Sequence, residues 1–248
     1  MQPVLQPVPV LCFPFAGAGA SAFRRCQEYP SLVLRICPVQ LPGREQRFAE
    51  PSYTDAAQAV EGLLPEVLEM IGDSRRVALF GHSLGAVLAY EMAHRLSQFE
   101  RLTVANVFVS GSPGPWTQRD RRATGLTDDE FLAQVRELAG YAHPALEHPE
   151  LREMLLPALR ADVALHEAYR APSDKPLDAP ITSIRGAEDE LVSPAQAGEW
   201  AAATSRGCRL VVLPGNHMYL IEAPVELVRL MEEVLGAGAE AEVEVTRC

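Results

Sequence analysis

Five consecutive residues constrain this chain more than any others: Gly81-His82-Ser83-Leu84-Gly85. They follow the apolar run 77–80 and precede 86–96, a stretch of good helix formers without glycine or proline. The pentapeptide therefore sits where a strand turns sharply into a helix. Two glycines permit so tight a turn, and a serine at its apex has its hydroxyl lifted above the end of a sheet, facing the first amides of the helix. Ser83 is the candidate nucleophile.

The rest of the chain supplies the scaffold such a turn needs. Short apolar runs at Val8–Phe13, 32–39, 104–109, 181–184 and Cys208–Leu213 read as buried strands, each closing on a loop rich in small or turn-forming residues. Between 55 and 71, apolar residues recur at the three-and-four spacing of an amphipathic helix, ending at Gly72. Strands alternating with helices imply a mainly parallel sheet covered on both faces. The segment 113–170 breaks the rhythm with helical patterning and no strand, and is expected to be an α-helical lid inserted after the strand 104–109. The small, acidic stretch 236–248 is expected to fray. At 248 residues the chain is expected to form a single domain.

A serine hydroxyl needs a base, and in a sheet of this kind the base belongs on a loop after the last strand. His217, in Pro214-Gly215-Asn216-His217, fits. Of the other histidines, His82 sits inside the turn, His94 near the end of its helix, and His143, His148 and His166 in the insertion; all read as packing or surface residues. The third member is a carboxylate between serine and histidine, and the strand 181–184 opens into Arg185-Gly186-Ala187-Glu188-Asp189-Glu190. Asp189 is taken on motif register, with Glu188 and Glu190 its neighbours. The loop after the preceding strand, Ser110-Gly111-Ser112-Pro113-Gly114, contains no acid. The oxyanion formed on attack requires two amide donors, expected from Leu84 and from Ala16 in the loop after the first strand. That loop has no Lys-Ser/Thr ending and does not follow the dinucleotide pattern, so phosphate cradling is a poor reading.

Composition narrows the remainder. A formal charge of −11 removes any bulk attraction for nucleic acid or anionic lipid. Five scattered cysteines (Cys12, Cys26, Cys37, Cys208, Cys248) without CxxC spacing suggest neither a disulfide framework nor a zinc site, which suits a reducing cytoplasm. No export or membrane-spanning segment is visible.

These residues resemble the stand-alone type II thioesterases that accompany modular polyketide and nonribosomal peptide synthetases. The resemblance runs along most of the chain and rests on Cys12-Phe13-Pro14-Phe15-Ala16-Gly17, Leu41-Pro42-Gly43-Arg44-Glu45 with Glu50-Pro51, Phe80 to Gly85, Leu159-Arg160-Ala161-Asp162, Gly186 to Asp189, and Pro214 to His217. It implies an α/β-hydrolase fold and a cofactor-independent Ser-His-Asp thioesterase. Such an enzyme removes stalled or wrongly primed acyl groups from the phosphopantetheine arm of acyl or peptidyl carrier proteins. Phe15 stands where the family often has His or Tyr, which makes the entrance more apolar, and Asn216 stands where it often has a second Gly.

Arg44 and Asp162 are expected to anchor a loop or the lid rather than perform chemistry. Carrier proteins of this kind are acidic, so docking to a chain at −11 calls for local positive charge. The densest cluster is Arg119, Arg121 and Arg122, near Trp116. The competing activities are a small-molecule carboxylesterase, an acyl-CoA thioesterase, a chain-cyclising release enzyme, and an inactive scaffold of the same fold.

Overall fold

The structure is a computed structural model and describes residues 6–117, 122–139 and 144–245. Six strands form one sheet: β1 (Val8–Phe13), β2 (Leu34–Pro38), β3 (Arg76–His82), β4 (Thr103–Ser110), β5 (Ile181–Gly186) and β6 (Cys208–Leu213). All their pairings are parallel and the strand order is β2-β1-β3-β4-β5-β6. Parallel neighbours require crossovers, and helices supply them: α1 (Arg24–Gln27), α2 (Ala56–Ile71), α3 (Leu84–Leu96), α4 (Asp128–Ala139), α5 (Pro149–Ala168) and α6 (Pro194–Gly198); α7 (Tyr219–Glu222) and α8 (Pro224–Val245) follow the last strand.

The inner strands β1, β3 and β4 are mainly apolar because both faces are covered, whereas the edge strand β6 leaves Leu210 and Val212 exposed. Side chains alternate between two cores. Leu11, Phe13, Val77, Leu79, Val107 and Val109 pack with α2 and α3 on one face. Val10, Cys12, Ala78, Phe80 and Phe108 pack on the other against α8 through Leu227, Val228 and Met231. A third, smaller core lies in the insertion between β4 and β5, where Phe131 and Leu132 of α4 meet Leu156 and Leu159 of α5. This architecture, a parallel central sheet flanked by helices, is the α/β-hydrolase fold.

The second strand begins later than the apolar run suggested, since Leu32 is 91% exposed and only Leu34–Pro38 pairs with β1. The expectation of fraying from 236 onward is corrected as far as Val245, because α8 continues through that residue. The stretch is rich in alanine and glutamate, which are strong helix formers. Among the described residues, no helix is long and apolar enough to cross a membrane.

Candidate active site

β3 ends at His82 and α3 begins at Leu84, so the whole reversal is made at Ser83, which adopts φ 54° and ψ −113°. A non-glycine residue in that region is held there by its surroundings. The Ser83 N–H donates to the Ser110 carbonyl at 2.8 Å, fastening the turn to the neighbouring strand. Gly85 is required by close approach: a Cβ there would overlap the Phe13 carbonyl, because the loop leaving β1 crosses the first turn of α3. Leu84, as the first residue of α3, has an N–H with no acceptor inside the helix.

His217 and Asp189 come from the loops after β6 and β5. The loops are stitched together by the Ala187 N–H on the Leu213 carbonyl (2.8 Å) and the Glu188 N–H on the Gly215 carbonyl (3.0 Å). His217 Nδ1 lies 2.9 Å from Asp189 Oδ2, and both residues are buried. The other carboxylate oxygen, Oδ1, accepts from the Leu191 and Val192 amides at 2.9 and 3.0 Å. Burial alone would raise the Asp189 pKa; the hydrogen bond and charge of His217, with the two amides, outweigh it and hold the carboxyl below its ordinary value. Glu188 and Glu190 are exposed, so Asp189 alone of the three acids in this loop meets the histidine.

Three residues not singled out from the sequence support this arrangement. The buried Arg185 guanidinium donates to the Asp189 carbonyl (2.8 Å) and the Val192 carbonyl (3.0 Å), closing the acid loop on itself. The Ser110 hydroxyl lies 2.9 Å from His82 Nδ1 and 2.6 Å from the Tyr219 hydroxyl, a buried chain beneath the turn. The rings of His82 and His217 have centroids 4.8 Å apart, so the base stands beside the residue that precedes Ser83. None of the three carries a signal in the sequence: Arg185 follows Ile-Thr-Ser-Ile near the end of β5, and only the fold pairs Ser110 with Tyr219.

The remaining histidines lie elsewhere. His94 packs edge-on against Tyr90 on α3, His148 precedes α5, His166 lies on α5, and His143 is outside the described residues. Among the described thiols, burial pushes Cys12, Cys37 and Cys208 up, and Cys26 up to about 11, away from the reactive thiolate. Among the described residues no group of three or more His, Cys, Asp or Glu is placed to hold a metal ion.

A cavity of about 450 Å³ opens beside Ala16 and Met218, the residue after His217. Its wall on the sheet side includes Phe15 and Leu220; the wall on the insertion side includes Leu132, Val135, Leu155 and Leu159. Phe15 lines it while meeting His82 edge-on. A shallower groove of about 540 Å³ between Phe48 and Met154 touches none of these residues.

A family model described as a thioesterase domain matches residues 8–235. The chain is similar to the gramicidin S biosynthesis protein GrsT of Aneurinibacillus migulanus, 33% identical over 223 residues, 90% of this chain and 86% of that protein. It is also similar to the thioesterase PikA5 of Streptomyces venezuelae, 34% identical over 213 residues, 86% of this chain and 75% of that one. Among solved structures, the type II thioesterase BorB from the borrelidin biosynthetic cluster matches with a TM-score of 0.83 at 31% identity, covering 93% of this chain and 94% of that one. A family match of that extent, on this fold and around this serine turn, means that the chain belongs to the thioesterase family and is a hydrolase of thioester bonds.

Proposed function

We propose that this chain is a type II thioesterase that releases acyl groups from the phosphopantetheine arm of carrier proteins and so clears stalled or misprimed chains from a polyketide or nonribosomal peptide synthetase. The observation that carries the catalytic reading is the buried Asp189–His217 pair on two stitched loops beside the strained Ser83 turn.

In this reading Asp189, bonded at Nδ1, fixes the imidazole tautomer and leaves Nε2 as the base. Ser83 Oγ attacks the thioester carbonyl while its proton passes to Nε2. The oxyanion is received by the Leu84 and Ala16 N–H groups. The C–S bond breaks, the thiol leaves with the proton from His217, and an acyl-enzyme remains. Water, deprotonated by His217, attacks the ester; the acid departs and Ser83 recovers its proton. The cycle uses no metal and no cofactor, the pantetheine belonging to the partner.

The apolar cavity beside Ala16 is read as the chamber for the acyl chain, and the insertion that walls it as a lid on a single domain. The docking cluster proposed for the carrier contains Arg119 and Arg121, which lie outside the described residues, and Arg122, which is exposed. The unpaired thiols of Cys12, Cys26, Cys37 and Cys208 favour the cytoplasm as its compartment.

The test is a competition among the same acyl group on a carrier protein, on coenzyme A and as a simple ester. The carrier-bound thioester is expected to show the highest kcat/KM. A preference for the simple ester would make the chain a carboxylesterase, and equal rates on carrier and coenzyme A would remove the carrier from the assignment.

A further inference from the structure

The loop that supplies Ala16 has little of its own to hold it: one turn, with the Ala18 N–H on the Phe15 carbonyl at 3.0 Å, and the Ala22 N–H on the Gly19 carbonyl at 3.2 Å. From Ala16 to Ser21 it reads Ala-Gly-Ala-Gly-Ala-Ser, without a side chain large enough to pack or bond across the loop. Its attachment to the rest of the molecule comes from side chains outside it. The Gly17 N–H donates to Asp162 Oδ2 at 2.7 Å, and Arg44 Nη1 donates to the Ala18 carbonyl at 3.1 Å. These two side chains grip each other in a bidentate pair, Nη2 to Oδ1 at 2.8 Å and Nη1 to Oδ2, while Arg44 Nε donates to the Pro42 carbonyl at 3.2 Å. Both are buried. One turn before Asp162 on α5, Leu159 lies so close that a Cβ on Gly17 would come within 2.9 Å of its Cδ1, and Gly17 itself has φ +79°. The far end of the loop is held by Glu45, which accepts from the Ser21 hydroxyl at 2.5 Å.

We propose that Arg44 and Asp162 are positioning residues of the thioesterase reaction: their buried pair clamps the Ala16–Ala18 loop to α5, and thereby sets the Ala16 N–H where the oxyanion forms. The inference rests on the catalytic reading above. It assigns the pair a use that a plain anchor would lack. A guanidinium–carboxylate fork fixes direction as well as distance, and an oxyanion donor is useful only if aimed before the charge appears. It also divides the insertion. α5 belongs mechanically to the catalytic core, whereas α4 rides on α5 through Arg160, which bonds Asp128 at 2.5 Å and lies over the Phe131 ring. Any opening that admits substrate without dismantling the oxyanion site must then displace α4 and leave α5 in place.

Alanine at either position leaves a buried charge alone and risks unfolding. The informative variants are Asp162→Asn, which keeps the volume and an acceptor oxygen although it leaves Arg44 without its counter-charge, and the double substitution Arg44→Met/Asp162→Leu, which replaces the pair by apolar volume and leaves no charge alone. In folded protein, with a short acyl pantetheine as substrate, each is expected to lower kcat by about 10- to 100-fold, below the loss of about 10²–10³ for removing a donor outright, with KM within about threefold. A trifluoromethyl ketone analogue, whose adduct carries the oxyanion, is expected to lose affinity by the same factor, and an unreactive thioether analogue none. Amide exchange of Gly17 is expected to rise in both variants. Unchanged kcat in either folded variant, equal losses on both analogues, or unchanged Gly17 exchange would overturn the inference. A wild-type chain that turned over no thioester would sink the catalytic reading by itself, before any variant is compared.

Discussion

Ser83 is held at a positive φ that costs a non-glycine residue about 1–3 kcal/mol, and in the proposed mechanism it acts with His217 as one unit. Ser83→Ala and His217→Ala are therefore expected each to lower kcat by a factor on the order of 10³ or more, and the double variant to be little worse than either single one. Multiplicative losses in steady-state assays would contradict a shared mechanism. Asp189→Asn is expected to keep the fold and lose turnover heavily, while Glu188→Gln and Glu190→Gln leave it unchanged. The sign of the accompanying pH effect follows from the depressed Asp189 pKa. A carboxyl whose folded value lies below its unfolded one adds stability above about pH 3.9 and loses it as the pH falls through the lower folded value. The gap in melting temperature between wild type and Asp189→Asn is thus expected to be level from about pH 5 upward and to close under acid conditions.

The elements most legible in the sequence were those whose identity is local. Strands apolar on both faces, the glycine-flanked serine and the acid and base loops at strand ends all announce themselves within a few residues. Boundaries were harder: Leu32 looks like strand but projects into solvent. The helix α8 went unread because its Ala-Glu continuation resembles a tail. Least legible were pairings made by the fold alone. Arg44 and Asp162 could be recognised as anchors, but not as anchors of each other, and Arg185 at the end of β5 gave no hint that it closes the Asp189 loop. The cavity wall yields a prediction at this scale. Leu155 of α5 faces the space beside Ala16, so Leu155→Trp is expected to lower kcat/KM for a decanoyl thioester at least about tenfold and to spare an acetyl thioester. Equal losses on both would place the long chain elsewhere.

At the scale of the whole molecule, a charge of −11 gives no long-range attraction for an acidic carrier, so any recognition is local and sensitive to single cations. Reversing Arg121 and Arg122 to Glu is expected to raise KM several-fold for an acylated carrier protein and leave a small acyl thioester untouched. No change on either would move docking to another face. The strand order has a consequence in time. From β3 onward each strand joins the sheet beside its predecessor, so the sheet widens in the order in which a ribosome delivers it. Asp189 follows the fifth strand and His217 the sixth, and both arrive long after Ser83. At about 5–20 residues per second, the serine turn precedes His217, its proposed base, by on the order of 10 s of synthesis. The nascent chain therefore carries the Ser83 turn, inert, before either residue proposed to activate it exists.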